Sequence, residues 1–281
     1  MSRNLAASIR ARLKHHADAT KQDFNLTLTH YGLERLLYRL SVSAHGSNFL
    51  LKGALLFTLW YDVAHRPTRD ADLLGYGPDD VDTAVRIFRE ICQITAEDGV
   101  VFDSDSVKGA IIRKEAGYGG VRIDIQAKLD GARIALQVDI GFGDTVTPAP
   151  QAIIYPVLLD DFPAPLLRAY PKYTVVAEKF HAACLLGLAN TRMKDYFDLW
   201  VLLDDTTLEA SEIRRAIKAT FARRKMAMPT TVPTGFTDTF AGDTTKQTQW
   251  KAFLKKNRLD PIELAEVVGR LRGKFQDVGV I

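Results

Sequence analysis

The segment 66-RPTRDADLLG-75 sets two carboxylates one residue apart, Asp70 and Asp72, directly ahead of Leu73 and Leu74. In an extended chain residues i and i+2 point to the same face. Two like charges so close repel, and a fold tolerates them best with a cation or an arginine between them. A hard divalent ion such as Mg²⁺ takes one or two carboxylates together with waters and substrate phosphates. A two-metal centre asks for a third carboxylate from a neighbouring element. Asp139, in 136-LQVDIGFGD-144, interrupts an otherwise apolar run, and Asp124, in 121-VRIDIQA-127, is its rival. An isolated Asp-x-Asp is more often a solvated strand end, and a lone strand aspartate also discourages edge-to-edge aggregation. The pattern therefore needs support from its surroundings.

That support precedes the pair. Lys52-Gly53 marks a helix start, where unpaired backbone N–H groups and a lysine charge suit phosphate. Other signatures fail. There is no GxxxxGK[ST] loop and no HExxH, and Gly141 and Gly143 lack the third glycine of a dinucleotide turn. None of the six histidines, His15, His16, His30, His45, His65 and His181, has metal-ligand spacing with cysteine. His181 reads as a partly buried helix histidine, and Cys92 and Cys184 as buried thiols.

The elements that must hold these residues follow from periodicity. Residues 3–16 and 31–41 have helical apolar spacing, with Leu33, Leu36, Leu37 and Leu40 on one side. Residues 49–63 read as a buried helix, 64–68 as a turn, 71–76 as a short strand, and 81–96 as a helix. The period then changes. Residues 98–104, 119–129 and 133–143 read as strands, the last two joined by 130-DGA-132, where Asp-Gly suits a tight hairpin turn. This order predicts a mixed sheet carrying helices, an α/β (α+β) fold and not a repeating βαβ array. The loop 144–165 carries five prolines and is the expected domain boundary, giving parts 1–160 and 161–281. Beyond it helices are expected over 173–187, 193–204, 208–225 and 247–274, with a Thr/Gly/Pro-rich loop at 229–246.

At 281 residues, with 47% hydrophobic and 25% charged residues, the chain suits one large or two modest globular domains. No stretch approaches the roughly 20 apolar residues of a membrane span, so a cytoplasmic protein is expected. Net charge is +3, unevenly spread. Residues 1–39 hold seven Lys/Arg against three Asp/Glu, and residues 208–281 fourteen against eight. Basic flanks around an acidic middle suit a polyanion such as RNA and a divalent cation, and equally describe ordinary solvated helix faces.

Gly53, Thr68-Arg69-Asp70-Ala71-Asp72 and Asp139 resemble the signature of the DNA polymerase β-like nucleotidyltransferases: a Gly-Ser at a helix start, Asp-x-Asp on the next strand and a later third carboxylate. In more detail, 52-KGA-54, 66-RPTRDADLL-74, 137-QVDIGFGD-144, 177-AEKFHA-182 and 192-RMKDYFDLW-200, in this order, resemble the AbiEii-type nucleotidyltransferase toxins of bacterial toxin–antitoxin systems. The likeness covers roughly residues 45–205. Two departures stand out. Ala54 occupies the serine position of the Gly-Ser pair, and Thr68 stands where the toxins have serine, keeping the hydroxyl.

The resemblance implies a nucleotidyltransferase core plus a C-terminal α-helical lobe, with a nucleoside triphosphate (NTP) and Mg²⁺ or Mn²⁺ bound between them. It implies metal binding by Asp70, Asp72 and Asp139, and triphosphate contacts from Lys52, Gly53, Thr68, Arg69, Lys179 and Arg192. Lys179 and Asp195 take active-site roles by the same likeness. Asp198, three residues after Asp195, shares its helix face and serves equally well as a salt-bridged core residue. The implied acceptor is the 3′ end of tRNA, with translation blocked as a result, and the implied protein partner is an antitoxin. Two other classes stay open: a nucleotide-sugar-dependent glycosyltransferase, which calls for a βαβ array ahead of the Asp-x-Asp, and a non-catalytic nucleic-acid-binding protein.

Overall fold

A computed structural model of the chain describes residues 3–61, 66–113 and 119–281. Helices α1 (Arg3–Ala19) and α2 (Phe24–Val42) precede strand β1 (Phe49–Lys52), the short helix α3 (Leu55–Trp60) and strand β2 (Asp70–Gly75). Helix α4 (Val81–Gln93) leads into β3 (Val101–Arg113), β4 (Gly119–Leu129) and β5 (Ala132–Phe142), and β6 (Gln151–Ile154) and β7 (Leu166–Ala169) follow. The seven strands form one mixed sheet in the order β3-β4-β5-β2-β1-β7-β6, within the first of two compact units, residues 1–143 and 151–169. The expected turn at 64–68 lies partly outside the described residues.

The sheet has two unlike faces. Along β4, Val121, Ile123, Ile125, Ala127 and Leu129 are buried, while Arg122, Asp124, Gln126 and Lys128 alternate with them. Leu136, Val138 and Ile140 continue the buried face on β5. Helices cover it. Gly32 of α2 comes so close that a Cβ there would sit 3.1 Å from Leu136 and 3.2 Å from Ile134, and Gly109 of β3 faces Val81 and Val85 of α4 in the same way. Each leucine buried along α2, among them Leu33, Leu36, Leu37 and Leu40, contributes about 1.5–3 kcal/mol. Asp23 caps α2 through Leu26 N, and Asp80 caps α4 through Thr83 N.

Three sequence expectations need correction. Residues 49–52 are a strand, not the start of a helix, and of the described residues in 49–63 only Leu55–Trp60 is helical; residues 62 and 63 lie outside the described residues. A run of four buried residues, three of them apolar, flanked by β2 and β7 has no face to alternate, so periodicity cannot separate strand from helix. Within the proline-rich loop lie β6 and, just after it, β7, whose Ala169 pairs with Leu51. Residues 161–169 thus belong with the sheet. The helix expected over 247–274 is two, Thr244–Asn257 and Leu264–Val278, parted at left-handed Arg258 and Pro261.

Residues 144–150 and 170–281 form the second unit. Its helices are α5 (Lys172–Leu186), α6 (Met193–Leu202), α7 (Ala210–Arg223), the short α8 (Asp238–Gly242), α9 (Thr244–Asn257) and α10 (Leu264–Val278). Phe180, Phe221, Phe236 and Phe275 pack as one aromatic cluster, with Phe180 and Phe275 ring centres 4.4 Å apart. No described helix is long and apolar enough to cross a membrane.

Candidate active site

Strand register assembles the first cluster. Lys52 pairs with Asp72, Asp72 with Asp139, and Asp139 with Arg122, four residues in a row across β1, β2, β5 and β4. Directly opposed residues share a face, with Cβ atoms about 5 Å apart. The next row carries Asp70, Gln137 and Asp124. Asp139 therefore stands beside Asp72, and Asp124 lies one strand further out and exposed.

Each member is held. Thr68 Oγ1 donates to Asp70 Oδ1 at 2.5 Å, and the Thr68 carbonyl accepts from His30 Nε2 at 2.7 Å. Lys52 is buried at the end of β1. Gly53 then turns the chain with φ +76°, its Cα packed on Asp72: a Cβ would lie 2.7 Å from Asp72 Cβ and Cγ and nearer still to Oδ2. Arg69 does not join the row; it is exposed and extends to Asp23, 3.8 Å away. Helix α3, which follows Gly53 and Ala54, has six residues.

Asp139 is buried, and the Arg122 guanidinium grips both its oxygens: Nε donates to Oδ1 and Nη2 to Oδ2, each at 2.8 Å. Gln137 Nε2 adds a longer bond to Oδ1 at 3.3 Å. The bond to Asp139 does most to raise the Arg122 pKa; burial opposes it, and the fields of Asp139, Asp124 and Asp70 add to it. Sequence reading misses Arg122, although the Asp130-Gly131 turn holds the signal. A two-residue hairpin pairing Leu129 with Ala132 necessarily pairs residue 122 with residue 139.

A second cluster lies in the helical unit, where α5 presents Lys179 to α6. Lys179 Nζ sits 2.7 Å from Asp195 Oδ1 and 2.8 Å from Asp198 Oδ2, and Arg192 Nε lies 2.7 Å from Asp195 Oδ2. Both aspartates are fully buried. Burial alone would raise the Asp195 pKa, but Lys179 and Arg192 overcome it and hold the carboxyl below its ordinary value. Asp198 thus shares the lysine. Beside this group, Arg224 bonds Asp144 Oδ1 at 3.0 Å and lies 3.7 Å from Glu178. Burial lifts both the Cys92 and Cys184 thiols to about 12, so neither is a nucleophile at neutral pH.

Three comparisons bear on this geometry. No curated protein matches the chain in sequence. JHP933 from Helicobacter pylori superposes with a TM-score of 0.51 at 16% identity over 89% of this chain and 90% of that one. A candidate nucleotidyltransferase from H. pylori gives 0.50 at 14% identity over 89% and 92%. Such likenesses show a shared fold alone. The family described as "Nucleotidyl transferase AbiEii toxin, Type IV TA system" matches residues 35–270.

The chain belongs to the AbiEii nucleotidyltransferase toxin family. AbiEii membership makes it a nucleotidyltransferase and a toxin of the type IV toxin–antitoxin class, and sets the glycosyltransferase alternative aside. The fold agrees, since an antiparallel β1-α3-β2 unit, not a βαβ array, precedes the Asp-x-Asp.

Proposed function

We propose that this AbiEii protein transfers a nucleoside monophosphate from an NTP to a hydroxyl at the 3′ end of tRNA, releasing pyrophosphate and stopping translation in the cytoplasm, with an antitoxin as its cognate partner. The observation that carries this is the register that sets Asp72 beside Asp139 on the face that also bears Asp70. Three carboxylates fit a hard cation such as Mg²⁺ or Mn²⁺ by donor chemistry. Among the described residues, no group of three or more His, Cys, Asp or Glu side chains is placed to hold a metal ion, and both Asp139 oxygens face Arg122. An ion here would take one or two carboxylates, with waters and phosphate oxygens as its other ligands. When bound, the ion neutralises charge along the triphosphate.

The chain's own residues do the rest. Asp70 and Asp72 would hold the cation, and Asp139 would complete the set. Gly53 admits Asp72, and Thr68 orients Asp70 through its 2.5 Å bond. Lys52 supplies positive charge for the triphosphate, while within the helical unit Arg192 and Lys179 together hold Asp195. The work is positioning and electrostatic stabilisation of a phosphoryl transition state.

The test is direct. Total tRNA is incubated with each of four labelled NTPs and Mg²⁺, with wild type beside Asp70→Ala. Label on tRNA from wild type alone is expected. An absence of label with every NTP, together with undiminished toxicity of the variant, would overturn the proposal and favour a non-catalytic nucleic-acid-binding protein.

A further inference from the structure

The row Lys52, Asp72, Asp139, Arg122 reads cation, anion, anion, cation across four strands. With Asp70, borne on the same face, the group sums to one negative charge. A divalent ion between Asp72 and Asp139 would turn that into one positive charge, which weakens the hold of a neighbouring cation. Lys52 is 6% exposed, whereas the Arg122 side chain is 38% exposed and has room to swing. Arg122 also engages both oxygens the ion would use, taking one lone pair of each, and Gln137 takes a second on Oδ1. A second carboxylate waits beside it. Asp124 is two residues along β4 on the same face, exposed, and close enough for its field to act on Arg122.

We propose that Arg122 is a positioning residue that competes with the divalent cation for Asp139, and that Asp124 is the carboxylate that takes the guanidinium when Asp139 turns to the ion. This rests on the carboxylates being the cation site, as proposed above. It gives the two strand aspartates different tasks: Asp139 is the ligand, and Asp124 parks its competitor. An exposed Arg122–Asp124 pair is worth little by itself, so the exchange is readily reversible. Arg122 returns to Asp139 when the ion leaves.

The test measures Mn²⁺ binding to the full chain without nucleotide, by calorimetry and by the electron paramagnetic resonance of free Mn²⁺. Wild type, Arg122→Gln, Asp124→Asn and the double variant are compared, with Asp70→Asn reporting on the site itself. Arg122→Gln is expected to bind about fivefold more tightly than wild type, the loss of one partly exposed competing ion pair. Asp124→Asn is expected to bind more weakly than wild type, and the double variant as tightly as Arg122→Gln.

Equal or weaker binding by Arg122→Gln overturns the proposal, since a residue that merely props Asp139 would weaken binding when removed. Weak binding that persists in the double variant also overturns it, because Asp124 would then be a ligand itself. If no protein binds Mn²⁺, or Asp70→Asn binds as wild type does, the cation-site reading fails and the proposal with it. Should Arg122→Gln lose its circular dichroism signature, Arg122→Lys keeps the charge without the fork. It is then expected to tighten binding by a smaller factor, and no tightening counts against the proposal.

Discussion

A Cβ on Gly53 would lie 2.7 Å from two carbons of Asp72, and the residue also sits at φ +76°, where any L side chain is strained. Both penalties fall on Gly53→Ala, but they are separable. Gly77 has φ +104° with nothing within 4 Å of its would-be Cβ. Each alanine variant is expected to lose about 1–3 kcal/mol of stability through backbone strain. Only Gly53→Ala, which forces Asp72 from its place, is expected to lose nucleotide transfer as well. Thermal unfolding and NTP incorporation, measured on both, check this; full activity in a folded Gly53→Ala would show that Asp72 need not sit where it does. At this scale the sequence is informative because Thr68, Asp70 and Asp72 act through local spacing. Arg122 stays hidden because its partner is seventeen residues away and is fixed only by pairing.

At the scale of elements, the hairpin shows how local chemistry reaches that pairing. Asp130 and Gly131 have φ of 44° and 77°, the two positive values a tight turn of this kind requires, and they lock the register of β4 on β5. The segment 49–52 has no such punctuation, so its apolar run reads as helix until its neighbours in the sheet are known. Helix α5 carries a further consequence. His181 is buried on α5 against the ring of Phe221 on α7, and its Nδ1 accepts from Arg224 Nη1 at 3.1 Å, because arginine can only donate. Burial first, then the Arg224 charge, pushes its pKa from 6.5 down to about 4, with Asp144 opposing. Between those two pH values the unfolded chain binds a proton that the folded one refuses. Stability conferred by neutral His181 is therefore full above pH 6.5, falls as pH drops toward 4, and flattens below. Urea unfolding at about pH 7 and about pH 5 is expected to show a larger drop for wild type than for His181→Gln, which keeps an acceptor for Arg224 but does not titrate. Equal drops would mean that His181 binds its proton alike in the folded and unfolded chain.

For the whole molecule, composition sets the class of fold but not its partition. The second unit is discontinuous: residues 144–150 belong to it although β6 and β7 follow them in the chain. They are tied by Thr147 N donating to Thr174 Oγ1 and by Thr174 Oγ1 donating back to the Thr147 carbonyl, both at 2.9 Å. Proline density marks such a crossing as a loop and cannot say which unit claims it. Charge is legible in a similar, partial way. A net +3 predicts little, yet fourteen basic against eight acidic residues after position 207 concentrate positive charge in the helices that follow α6. Helix α9 ends in exposed Lys255 and Lys256, with Lys251 one turn earlier, also exposed. If tRNA is the acceptor, lysines of this kind contribute through counterion release, with little regard to sequence. The triple variant Lys251→Gln, Lys255→Gln, Lys256→Gln should bind tRNA more weakly, with the slope of log Kd against log salt reduced by about one for each phosphate that these lysines neutralise in the wild type. Removing the two charges in the last helical turn weakens the helix by only about 0.3–1 kcal/mol each, so an unfolding curve taken alongside separates weaker RNA binding from damage to the helix. An unchanged salt slope in a variant that melts near wild type would move the RNA surface away from α9, while leaving the carboxylate row of the first unit untouched.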